Sequence, residues 1–193
     1  MVTVLVEPGA EEETILRLWR STWPEEQLFP VEHALTFPVP MRDGVHLSTN
    51  VYLPKNCSTP VPAVLVRTPY GKEDGCEIYY RYVQRGYAVV VQDVRGRNAS
   101  EGEWLPNYHE VEDGDDTLNW IAAQPWCSGR IGMVGGSYLG YVQWAAAASG
   151  NPHLKALICV VCAGSAFVDL PRRGGSFTSG MLAFCGVSEN LPP

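Results

Sequence analysis

Four short, β-branched apolar runs constrain this chain most: AVLV (63–66), YAVVV (87–91), IGMV (131–134) and ALICVV (156–161). Each is strand-sized and lacks a polar face, the pattern of a strand buried within a parallel sheet. Between them lie segments with helical signals: EIYYRYVQR (77–85) before Gly86, DTLNWIAAQ (116–124) before Pro125, and YLGYVQWAAAA (138–148) before Gly150. Ahead of all these, HALTFPV and HLSTNVYL alternate in polarity around the turn residues Arg42, Asp43 and Gly44, and so read as an antiparallel pair. Strand alternating with helix predicts an α/β fold, a mostly parallel sheet with right-handed crossovers and an N-terminal antiparallel hairpin.

A chain of 193 residues, 46% hydrophobic and 18% charged, suffices for one domain with a substantial core. Its net charge of −7 and the lack of a long basic tract exclude a nucleic-acid partner. The N-terminal apolar run is interrupted by Glu7 and has no positive start, so no signal peptide is expected. No segment reaches the roughly 20 apolar residues of a membrane span. The expectation is a soluble, cytoplasmic protein without a membrane partner. Residues 11–20 read as a short amphipathic helix burying Ile15, Leu16, Leu18 and Trp19, and residues from Leu170 onward as a loop.

Among the six cysteines, Cys57, Cys76, Cys127, Cys159, Cys162 and Cys185, only Cys159 and Cys162 have metal or redox spacing. On a strand, residues three apart face opposite ways. The expectation is therefore two small buried thiols, neither a metal pair nor a disulfide. The acidic run Glu110, Glu112, Asp113, Asp115 and Asp116 lacks calcium-loop spacing and suits a helix N-terminus. No motif implies a metal or an organic cofactor.

The stretch RIGMVGGSYLGYVQW (130–144) carries the chemistry. After the run IGMV, Gly135 and Gly136 free a tight turn of Cβ clashes, and Gly140 lets the following helix approach the strand. Ser137 then stands at a strand-to-helix bend, as in the elbow that lifts a nucleophilic hydroxyl into a cleft. Position 139 is Leu, however, and the second glycine comes one residue later than in the usual GxSxG. A serine that caps the helix, or a phosphate-binding turn, has the same local signature. The loop RTPYGK (67–72) follows the third strand, where a second oxyanion donor would lie; Tyr70 supplies a hydroxyl there.

Five ordered blocks, MRDGVHLSTNVYLP, VLVRTPYGK, GYAVVVQDVRGRNASEGEW, DTLNWIAAQPWCSGRIGMVGGSYLG and HLKALI, resemble the first part of the CocE/NonD serine hydrolases, the cocaine esterase and X-prolyl dipeptidyl-peptidase group. GxSYxG is that family's own form of the elbow. The resemblance implies an α/β-hydrolase fold, Ser137 as nucleophile, and an oxyanion hole from the Tyr70 hydroxyl and the Tyr138 backbone N–H. It also implies a small ester, amide or peptide substrate. Asn98 departs from the family's usual glycine, but Asn best tolerates a left-handed backbone. Asp93 and Arg95 are expected to tie down their loop, with Ser100, Glu101 and Gly102 forming a turn.

The expected chain order is serine, acid, histidine, and only His153 follows Ser137. His153 precedes a strand and so belongs at the wrong end of the sheet. His33 and His46 fall on the hairpin, which leaves His109, in the loop after the fourth strand, as the least unsuitable stand-in. The family's acid and histidine follow a cap domain inserted after the sixth strand. The sequence therefore reads as an N-terminal portion: an extension (1–30), a partial hydrolase domain lacking the last strands and the cap (31–165), and the start of a cap linker (166–193). Two functions are consistent with that reading. One is a serine hydrolase working through an acyl-enzyme, its missing strands supplied by later sequence or by a second chain. The other is a catalytically silent module acting in binding or assembly.

Overall fold

The computed structural model describes residues 29–58 and 60–162, with the short pairs 172–173 and 176–177. The hairpin pairs β1 (Val31–Pro40) with β2 (His46–Pro54), and β3 (Val61–Thr68) and β4 (Ala88–Asp93) follow. The later strands are β5 (Cys127–Gly136) and β6 (Leu154–Val160). They form one six-stranded sheet in the order β1–β2–β4–β3–β5–β6, antiparallel through β2/β4 and parallel from β4 to β6. Three helices connect them: α1 (Tyr80–Val83), α2 (Glu110–Ala122) and α3 (Tyr138–Ala148).

The helices cover the sheet on both faces, as apolar strands without a polar side require. Leu118 and Ile121 of α2 and Val142 and Ala146 of α3 join Ala63, Leu65, Ile131 and Met133 in one core. Val83 and Cys76 pack against Val64, Val66, Val89 and Val91 on the other. From β3 the chain crosses outward to β4, whereas from β5 it crosses the opposite way to β6. The strand order therefore reverses between β3 and β5. In such sheets a crevice opens at that switch point, beyond the carboxyl ends of the strands.

The structure departs from the sequence reading in three places. The segment 77–85 is only a 3₁₀ turn (Cys76–Tyr79) followed by the single turn α1, with no side chain capping either. Its tyrosines, Ile78 and Val83 lose rotamer freedom in a helix, which disfavours extension. Helix α2 begins at Glu110, well before Asp116, because Glu110 and Asp113 are anchored by buried arginines. Strand β6 is, among the described residues, the exposed apolar edge expected of a sheet that lacks its last strands: Ile158 and Val160 are 50% and 52% exposed. Finally, β6 stops at Val160 and the chain bends at Val161, whose φ is 45°. Cys159 and Cys162 thus do not point apart as on a continuous strand, and both side chains reach Gly140 in α3.

The amphipathic helix expected at 11–20 lies outside the described residues, as do Cys185 and most of the tail. Within the tail, Arg172–Arg173 (β7) and Ser176–Phe177 (β8) pair antiparallel. The loop expected from Leu170 onward therefore contains a short strand pair.

Candidate active site

Ser137 occupies the bend between β5 and α3 with φ 56° and ψ −121°, a strained conformation for a residue with a Cβ. Two features impose it. Its N–H donates to Val160 O at the end of β6 and to Val161 O just beyond it, at 3.0 and 3.2 Å, while its carbonyl already accepts from Gly140 N and Tyr141 N in α3. The turn can close so sharply because Gly135, at φ 152°, has no Cβ to overlap Leu139. Ser137 is exposed, and its side chain makes no capping bond to the helix. That removes the capping alternative.

The loop carrying Tyr70 leaves β3 at the same edge, since β3 and β5 are parallel neighbours with Leu65 opposite Met133. Tyr70 is 43% exposed, and its N–H donates to Thr68 Oγ1. The DVRGRNAS block holds this loop from behind. Asp93 Oδ1 accepts Lys72 N at 2.7 Å and Asn98 Nδ2 at 3.2 Å, and Arg97 Nε donates to Pro69 O at 3.1 Å. Asn98 adopts the left-handed conformation expected of it, at φ 49°. Burial pushes the Asp93 carboxyl up, against the stabilising contacts from Lys72.

Comparison with known proteins identifies the family and the fold. The description of the X-Pro dipeptidyl-peptidase (S15) family matches residues 43–187. The chain belongs to that family. It is 50% identical to cocaine esterase from Rhodococcus sp. over 125 residues, covering 62% of this chain and 22% of the esterase. A CocE/NonD family hydrolase from Staphylococcus aureus superposes with TM-score 0.71 at 28% identity, covering 82% of this chain and 32% of that one. An aminopeptidase from a marine sediment Thaumarchaeota archaeon superposes with TM-score 0.60 at 30% identity, covering 70% and 26%. The sheet is thus that of the CocE/NonD α/β hydrolases, and this S15 chain spans only about a fifth to a third of the length of these relatives.

In this S15 chain a buried polar network, invisible to motif reading, supports the bend from below. The Tyr138 hydroxyl donates to Glu110 Oε1 at 2.6 Å and accepts from Asn107 N at 3.1 Å. Glu110 Oε2 accepts from Arg67 Nη1 at 2.6 Å, and Arg67 Nε donates to Gln92 Oε1 at 2.9 Å. Arg95 forks onto Asp113 at 2.6 and 3.0 Å and reaches Asp43 at 2.7 Å. The acidic helix start therefore neutralises buried guanidiniums as well as meeting the helix dipole. Tyr138 is the first residue of α3, so its backbone N–H has no acceptor within the helix. Its side chain fixes where that N–H sits.

Burial first, and then the Glu110 charge, push the Tyr138 phenol far above its ordinary value of 10.0. Tyr52, Tyr79, Tyr80 and Tyr141 shift the same way, each chiefly through burial. An unfolded tyrosine loses its proton near the ordinary value while these keep theirs. Stability present below about pH 10 is therefore lost as pH rises past it. The urea midpoint is expected to fall between about pH 9 and about pH 11, and Tyr138→Phe to flatten that fall. Equal slopes for the two proteins would remove Tyr138 from the effect.

The histidines lie apart from Ser137. His153 immediately precedes β6, with its Nδ1 3.1 Å from Gly129 O, and His46, on the hairpin, pairs with Glu101 of the loop after β4. The side chain of His33 is outside the described set. His109 is the residue before α2, and its ring stands edge-on to Tyr108 at 4.8 Å. Among the described residues no hydrogen bond joins a histidine to Ser137, and no group of His, Cys, Asp and Glu could hold a metal ion. No described helix is long and apolar enough to cross a membrane. A cavity of about 830 Å³ lies on the α1 face, between Val64, Val134 and Ile158 with Arg81 and Arg85 at its rim; Ser137 and Tyr70 do not line it.

Proposed function

We propose that this chain carries the nucleophile and oxyanion hole of a serine hydrolase that cleaves an ester or amide acyl bond through an acyl-enzyme. The observation that carries this reading is an exposed, uncapped Ser137 held at φ 56° at the switch-point edge, within a region that matches a hydrolase family. Ser137 Oγ attacks the substrate carbonyl carbon and gives its proton to a general base. The tetrahedral oxyanion accepts hydrogen bonds from the Tyr138 N–H and the Tyr70 hydroxyl. The leaving alcohol or amine takes the proton, and water then releases the acid. The relatives' names, cocaine esterase and aminopeptidase, support small ester and peptide substrates. The reading takes the base and its orienting acid from residues outside the described set, and it requires neither metal nor organic cofactor.

A fluorophosphonate probe tests the assignment. In the complete gene product the peptide containing Ser137 is expected to gain the phosphonyl group, and Ser137→Ala to abolish labelling. Labelling at another serine, or none in a protein with native circular dichroism, overturns it. Labelling that requires sequence beyond Pro193 identifies the 193-residue chain by itself as the catalytically silent module.

A further inference from the structure

Cys159 and Cys162 form a second chemical site, placed directly behind the Ser137 bend. A Cβ built on Gly140 would overlap Cys162 Cβ and lie 2.9 Å from its Sγ, so Cys162 packs onto the bare face of that glycine. Cys159 Sγ approaches the same turn of α3, donating to Gln143 Oε1 at 3.4 Å and lying 3.7 Å from Gly140 O. Both thiols therefore converge on one helical turn as reduced cysteines. The bend that brings them together is open to solvent: Val161 between them is 91% exposed, and both cysteines are half-buried. A small oxidant can reach the pair.

The residues inside this Cys-x-x-Cys loop are Val160 and Val161, whose carbonyls accept the Ser137 N–H. We propose that Cys159 and Cys162 are a disulfide-forming modification site for low-molecular-weight disulfides of the glutathione type, and that closing the bond re-sets the two carbonyls that hold Ser137. A cysteine thiolate attacks the glutathione disulfide, forming a mixed disulfide and releasing one glutathione. The neighbouring thiolate then displaces the second, so one internal S–S bond replaces the external one and the two thiol protons end on two glutathiones. Either sulfur can enter and the other resolve, because both thiols are half-buried and meet at one turn of α3. Neither the bond nor its effect on the Ser137 amide requires that Ser137 be a nucleophile.

Trypsin releases both cysteines in one peptide, Ala156–Arg172, which contains no other cysteine. The chain is treated with glutathione disulfide, trapped with N-ethylmaleimide without reduction, and digested. The peptide is expected to lose the mass of two hydrogens and both maleimides, and dithiothreitol to restore both. Cys159→Ser is expected to leave glutathione on Cys162 instead. In the ¹⁵N–¹H spectrum the Ser137 amide resonance is expected to move on oxidation and to stay put in Cys159→Ser treated identically. Full maleimide uptake by both cysteines after treatment, glutathione on each, or pairing with a different cysteine overturns the site. An internal disulfide with an unmoved Ser137 amide overturns the coupling. Fluorophosphonate labelling is read separately, so failure of the hydrolase reading leaves this result intact.

Discussion

Arg67→Met is expected to destabilise the protein by about 3–5 kcal/mol, the cost of stranding buried charge by removing one partner. Arg67 is fully buried at the carboxyl end of β3, and methionine fills much of its volume, so an emptied cavity is a minor part of the loss. The larger part is electrostatic. Glu110 would keep only the Tyr138 hydroxyl and lose a 2.6 Å charge-assisted bond, while Gln92 Oε1 would lose the Arg67 donor at 2.9 Å and keep the Thr117 hydroxyl. Asp113 still has the Arg95 fork, which confines the damage to Glu110. Adding Glu110→Gln removes the stranded charge, so the double variant is expected to be more stable than Arg67→Met alone. Urea denaturation of the four proteins closes the cycle. A single-variant loss below about 1 kcal/mol, the scale of a surface pair, would mean that water reaches this cluster.

The same cluster marks where sequence reading stops. The parallel strands and the hairpin were legible because burial on both faces and alternation on one leave different residue patterns. The ends of α3 matched for a local reason: its start is the glycine-rich bend and its end is Gly150. Asn98 was legible too, since one left-handed residue in a turn needs no distant partner. Glu110, by contrast, meets Arg67 across 43 positions and Tyr138 across 28, and no local pattern encodes such a meeting. The one available signal was an arginine ending an otherwise apolar strand, since a buried guanidinium demands a carboxylate. The cysteine pair was misread for a related reason. Alternation holds only while a strand continues, and β6 gives way at Val161 to a bend that its β-branched sequence does not announce.

Tyr70→Phe is expected to lower kcat for hydrolysis of a simple aryl ester about 10²–10³-fold, the usual loss for one oxyanion donor, with KM little changed. The hydroxyl is the only atom removed, and Tyr70 is 43% exposed, so the fold has little to lose. What remains is a loop still held by Asp93 and Arg97, now offering the Tyr138 N–H as the sole donor. Because the oxyanion exists only after attack, losing its donor weakens the transition state more than the bound ester. That split between kcat and KM separates an oxyanion donor from a residue that merely lines the pocket, which would raise KM and spare kcat. Unchanged kcat in a variant that still labels at Ser137 would remove Tyr70 from the mechanism and leave the second donor to be sought elsewhere along the loop from Thr68 to Lys72.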